Sequence, residues 1–85
     1  MIRFTKENID KILIANEGFR DRTYYKSKNK EEENLYTIIG GVLQKRSIGK
    51  TSFSDSRYDK TTVCDLEQTR RFIKNNVEKL NLNIH

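Results

Sequence analysis

Arginine and lysine at positions 20, 22 and 26 alternate with other residues, and Tyr24 stands among them. A strand over residues 19–26 therefore places Arg20, Arg22, Tyr24 and Lys26 on one face, opposite Phe19, Asp21, Thr23 and Tyr25. Further cations follow at Lys28, Lys30, Lys45, Arg46 and Lys50, interleaved with Tyr25 and Tyr36. Such cations can neutralise phosphates and release counterions, and tyrosine rings can stack on bases. The same residue types also suit an acidic protein surface, where a few aromatic and arginine anchors, here Tyr24, Tyr36 and Arg57, would carry the affinity. The plain alternative is a solvated sheet face, because charge runs usually serve solubility.

Other constellations fall short of a chemistry. Gly49, Lys50 and Thr51 match the tail of a phosphate-binding loop, but that motif needs an earlier glycine where Gln44 stands, and a helix starting after it. Asp55, Arg57 and Asp59 have the alternate spacing of a calcium loop, yet Arg57 puts a cation where an oxygen ligand is required. Tyr25, with Tyr36 to Gly40, is loosely similar to the paired tyrosine and glycine motifs of small GIY-YIG nucleases. Thr37, Ile38 and Ile39 intervene, and no Arg/Glu pair is placed, so these aromatics are assigned to strands. Cys64 and His85 are the only residues of their kinds, which excludes an internal disulfide, a Cys/His zinc site and a histidine triad within one chain. Cys64 reads as a small hydrophobe or an inert surface thiol. With no acid, base and oxyanion donor assembled, the sequence points to a protein that is not an enzyme and needs no cofactor or metal.

These side chains must be positioned by few elements. Thr5 is a plausible cap for a first helix over residues 6–17, with Ile9, Ile12 and Leu13 on its apolar stripe and Gly18 as its stop. After the basic strand, the polar residues 27–34, including Glu31, Glu32 and Glu33, read as a solvated loop. A second strand is expected over residues 35–45, interrupted by Gly40 and Gly41 as a bulge or bend, and a third over residues 47–53. Residues 54–60 read as loop. Thr62 is expected to cap a last helix over residues 63–80, with Val63, Leu66, Ile73, Val77, Leu80 and Ile84 on its buried stripe and Arg70 at the stripe's edge, snorkelling or paired. The fold class is then α+β in the order α-β-β-β-α, a three-stranded antiparallel sheet packed on two helices. That order and size are similar to those of a double-stranded-RNA-binding domain. The likeness is one of topology alone, since the glycine- and lysine-rich helix start of that family is not reproduced at residues 60–67.

The 85 residues suffice for one domain, residues 1–85. Ile, Leu, Val and Phe supply 22 of them, above the level that marks intrinsic disorder, while the single alanine, Ala15, means a core of a few large side chains. The net charge of +5 is concentrated in the middle of the chain: residues 19–30 carry +4 and are followed at once by three glutamates. Lysine, asparagine and isoleucine are abundant, as in AT-rich bacterial or viral genomes. No apolar run approaches the roughly 18 residues of a membrane span and no signal-peptide pattern opens the chain, so a cytoplasmic protein without membrane contact is expected. Two functions fit: a nucleic-acid-binding factor using Arg20, Arg22, Tyr24, Lys26, Tyr36, Lys45, Arg46, Lys50 and Arg57, or an inhibitor or adaptor of the phage-encoded anti-defence type. The second would dock those residues on a larger host enzyme or ribonucleoprotein, a nucleic-acid-processing complex.

Overall fold

The computed structural model describes residues 3–51 and 57–83. The chain runs α1 (Lys6–Ala15), β1 (Arg20–Lys26), β2 (Lys30–Ile39), β3 (Val42–Thr51), β4 (Arg57–Val63) and α2 (Leu66–Asn75). The class is α+β as expected, but the sheet has four strands rather than three, antiparallel in the order β1-β2-β3-β4.

Helix α1 starts where the Thr5 hydroxyl accepts a hydrogen bond from the Asn8 amide at 3.2 Å, and it buries Ile9, Ile12 and Leu13. It ends at Ala15, two residues short of expectation. The Asn16 side chain there donates to the Ile12 and Asn81 carbonyls, both at 2.8 Å, and Gly18 turns the chain with φ +85°. The Gly18 amide then donates to the Ile38 carbonyl, so sheet pairing begins at once.

Two loop expectations give way to strand, and an expected interruption within a strand gives way to a turn. Residues 30–34 are part of β2, because Glu31, Glu32 and Glu33 each meet a cation: Lys26 and Lys50, Lys30, and Arg22 respectively. Three of these four pairs join neighbouring strands, Lys30 and Glu32 both being on β2, and such opposite charges support a ladder that a solvated run of glutamates would not. Gly40 and Gly41 are not a bulge inside one strand. Their φ values of +61° and +74° make a two-residue hairpin turn of the primed type, and the Glu17 carboxylate accepts from both of their amides at 2.9 and 3.2 Å. Residues 57–63, expected to be loop and helix cap, form β4, which pairs along its whole length with β3.

Helix α2 is shorter than the expected 63–80 because its cap is Asp65, not Thr62. The Asp65 carboxylate accepts from the Gln68 amide at 2.8 Å while the Gln68 side-chain oxygen accepts from the Asp65 amide at 3.0 Å. The buried stripe shifts accordingly. Ile73 and Leu80 are buried as expected and Phe72 joins them, whereas Val63, Leu66 and Val77 are 62%, 40% and 43% exposed. Ile84 lies outside the described residues. Arg70 is paired, its Nε donating to the Phe4 carbonyl at 3.0 Å and its Nη1 to Glu67.

The core joins Ile9, Ile12 and Leu13 of α1 to Ile38, Leu43, Phe72, Ile73 and Leu80. It occupies one end of the sheet only. Helices of 10 residues are about 15 Å long, whereas 10-residue strands reach about 34 Å. The molecule is accordingly elongated, 49 × 23 × 18 Å, and the part of the sheet nearest the β1–β2 turn projects beyond the helices as a paddle. On the helix side of the paddle, small polar contacts take over from the core: Ser47 Oγ donates to Asn34 Oδ1 at 2.7 Å, and the Tyr58 hydroxyl donates to Glu32.

Candidate docking face

Residues paired directly across a ladder point to the same side of a sheet, so the register assigns each side chain a face. Ile38, Leu43 and Tyr36 define the side the helices cover. The other side is open, and four rows cross it: Arg20, Thr37, Gln44 and Val63; Arg22, Leu35, Arg46 and Thr61; Tyr24, Glu33, Ile48 and Asp59; Lys26, Glu31, Lys50 and Arg57. Arg20, Arg22, Tyr24, Lys26, Arg46, Lys50 and Arg57 therefore share one surface, the first four as the alternation in residues 19–26 predicts and Arg57 by way of a strand where a loop was expected.

Tyr36 and Lys45 do not. They stand opposite each other, on the helix-covered side. The Tyr36 ring packs against Phe72 with centroids 4.9 Å apart, and burial is the main cause that raises its hydroxyl pKa. Lys45 lines a cleft beside α2. Neither can contribute to a site on the open face.

The open face is not simply basic. Arg22 Nε lies 3.1 Å from Glu33, Glu31 lies 3.6 Å from Lys26 and 3.8 Å from Lys50, and Arg46 grips Asp59 with two hydrogen bonds, Nε to Oδ1 at 2.8 Å. The Arg22 guanidinium also donates to the Tyr24 hydroxyl at 3.3 Å, the first cause of its raised pKa, with Glu33 adding to it. The hydrogen bond from Arg46 holds the Asp59 carboxyl below its ordinary range. Six cations thus face three carboxylates, and each carboxylate touches a cation. Arg20 makes no ion pair with any described residue.

Two hollows run along this face. One, of about 620 Å3, has Arg20, Arg22, Leu35, Thr37, Gln44 and Arg46 among its lining residues. The other, of about 520 Å3, lies on the paddle among Tyr24, Lys26, Ile48, Lys50 and Arg57. Leu35 and Ile48 are half-buried, and Tyr24 is 70% exposed. Glu31 and Glu33 were missed as site residues because residues 27–34 read as loop, and Asp59 because residues 54–60 did; Leu35 and Ile48 fell on expected strands whose open face was not assigned. The alternation seen in residues 19–26, continued through Glu31, Glu33 and Leu35, carries the signal that would have found those three.

The remaining motifs acquire no chemistry. Gly49, Lys50 and Thr51 lie within β3, not ahead of a helix. Asp59 is engaged by Arg46, and Asp55 lies outside the described residues. Among the described residues no three His, Cys, Asp or Glu side chains gather to hold a metal ion, and no helix is long and apolar enough to cross a membrane. Compared with known proteins, the chain matches no family model, no curated protein and no solved structure.

Proposed function

We propose that the chain is a small non-catalytic docking protein, an inhibitor or adaptor, that seats the open face of its sheet on an acidic surface of a larger protein. The observation that carries this is the composition of the face: a lattice of cross-strand ion pairs around half-buried Leu35 and Ile48, with arginines and an exposed tyrosine at its rim. Protein interfaces are enriched in arginine and tyrosine around an apolar centre and exclude unpaired charge from that centre. A phosphate backbone, charged at every step, would meet Glu31, Glu33 and Asp59 along its path, whereas a protein surface can place its carboxylates opposite the cations and apolar groups opposite Leu35 and Ile48. The excess of cations supplies the preference for an acidic partner and steers its approach. Nucleic acid is the second reading, favoured by that same excess and by the net charge of +5.

Capture of partners from cell extract, with and without nuclease, tests the proposal when run beside Arg20→Ala, Tyr24→Ala and Arg57→Ala. A protein should remain bound after nuclease treatment, and at least two of the three variants should each weaken its purified complex by about 2 kcal/mol or more. Loss of all capture on nuclease treatment, followed by a salt-dependent affinity for purified nucleic acid, would transfer the face to the second reading. A complex indifferent to all three substitutions would remove the face as the site.

A further inference from the structure

On the helix-covered side, a cleft of about 410 Å3 opens between β1–β3 and α2, within the size range of small-molecule sites. Cations from three separate segments line it: Lys45 from β3, Arg71 from α2, and Lys79 from the turn that follows α2. One acid, Asp21, shares the lining, 3.7 Å from Lys79 Nζ. Arg22 reaches the rim, but its guanidinium is held by Glu33 and Tyr24 on the open face. Lys45 and Arg71 make no ion pair with any described residue, and Lys45 is half-buried. Arg71 and Lys79 are exposed, so an anion entering the cleft would meet two solvent-facing cations beside half-buried Lys45. The cleft also offers the side-chain amides of Gln68 and Asn75, and Tyr36 and Phe72 supply aromatic surface within it.

We propose that this cleft binds a small phosphate monoester of about nucleotide size, its phosphate held by Lys45, Arg71 and Lys79 and its organic part resting on the Tyr36 and Phe72 side. Charge-assisted bonds from lysine and arginine are the strong contacts available to a phosphate, and an aromatic wall accommodates a ring. The site is independent of the docking face, since it lies on the opposite side of the sheet.

Half-buried Cys64 lines the same cleft and is the only cysteine in the chain, so its alkylation reports occupancy directly. Adenosine 5′-monophosphate should slow the reaction of Cys64 with iodoacetamide, and adenosine, lacking the phosphate, should not. Calorimetric titration should show binding of the monophosphate, with inorganic phosphate weaker. Lys45→Met and Arg71→Met, which keep most of the apolar stem, should each lower that affinity about tenfold or more, while Lys74→Met, on α2 outside the cleft, should not. Circular dichroism melts within a few degrees of the parent would exclude unfolding as the cause. Equal protection by adenosine and its monophosphate, absence of measurable binding by the folded parent, or an affinity unchanged by both cleft variants would each overturn the assignment.

Discussion

Replacing Gly49 with alanine ordinarily stiffens the unfolded strand and adds about 0.4 to 1 kcal/mol of stability where the backbone permits it. Here the sign should reverse. A Cβ at position 49 would lie 2.5 Å from the Glu31 carbonyl oxygen, 2.6 Å from Tyr58 Oη and 2.7 Å from Tyr58 Cζ, where ordinary contact begins at 3.4 Å. Tyr58 can swing aside, but only by abandoning its hydrogen bond to Glu32. The Glu31 carbonyl belongs to β2 and can retreat only by loosening the β2–β3 ladder, in which Gly49 stands opposite Glu32. Overpacking costs about 1 to 3 kcal/mol and the lost hydrogen bond about 1, so after the chain-stiffening gain Gly49→Ala should be destabilised by about 2 kcal/mol. For a domain of this size the melting temperature should fall by about 10 °C in a circular dichroism melt. In a Tyr58→Ala background the ring contacts vanish and roughly half the penalty should vanish with them, a coupling that a double-mutant cycle reads. A Gly49→Ala protein that melts at or above the parent would refute the close approach of β2, β3 and Tyr58.

The stripe of α2 makes a second contrast: Ile73 is fully buried, so Ile73→Asp should leave the chain largely unfolded in a melt, whereas Val77→Asp, at an exposed position, should fold. Asp65→Ala should cost about 1 kcal/mol through loss of the capping box and Thr62→Ala less than about 0.5; equal effects would mean that the helix starts elsewhere. The acid limb of stability should depend on Glu32, whose carboxyl is held below its ordinary range first by the Tyr58 hydroxyl, with help from Lys30 and Asn34. A depressed carboxyl stabilises the fold above the usual carboxylate range and loses that contribution as pH falls through its lowered value, so Glu32→Gln should flatten the acid side of melting temperature against pH. The Tyr58 hydroxyl, raised chiefly by Glu32, works in the opposite sense, contributing below the usual tyrosine range and losing that contribution as pH rises through its raised value.

What could be read from the chain was whatever a local pattern settled. Thr5 and the Ile9, Ile12, Leu13 stripe place α1, and the alternation of Arg20, Arg22, Tyr24 and Lys26 gives β1 its correct outward face. Strand β4 escaped because an edge strand on the paddle has no buried face, and only Tyr58 of its residues is more than marginally covered. Gly40 and Gly41 looked like an interruption because two strands flank them without a polar turn. The faces of Tyr36 and Lys45 depend on the pairing register of β2 and β3, which that turn sets, and a one-residue difference moves a side chain through the sheet. Glu31 and Glu33 of the docking face were hidden by their adjacency, since three glutamates in a row suggest repulsion until their partners on β1 and β3, and those of Glu32 on β2 and β4, are known.

Those glutamates also constrain what the face can bind. Burial fixes strand register strongly only where one side of the sheet is covered, and the paddle lacks that cover. There, Glu31 is held between Lys26 and Lys50, Glu33 reaches Arg22, and Glu32 engages Lys30 and Tyr58 on the other side. Slipping β1 by one residue would carry Arg22 and Lys26 away from the face of Glu33 and Glu31, so alternating charge performs along the paddle the task that Ile38 and Leu43 perform in the core. Each exposed pair contributes little alone, about 0.2 to 1 kcal/mol, but the set opposes a slip collectively. Cations already committed to register are poor anchors for a partner, because docking would have to break a pair to recruit them. We therefore expect affinity to concentrate on groups outside that commitment, the Tyr24 ring and Arg20 above all, with the paired lysines contributing mainly to the rate of encounter. Charge reversal at Lys26 should accordingly disturb the paddle's register more than the lifetime of the complex, whereas truncation of Tyr24 should do the reverse.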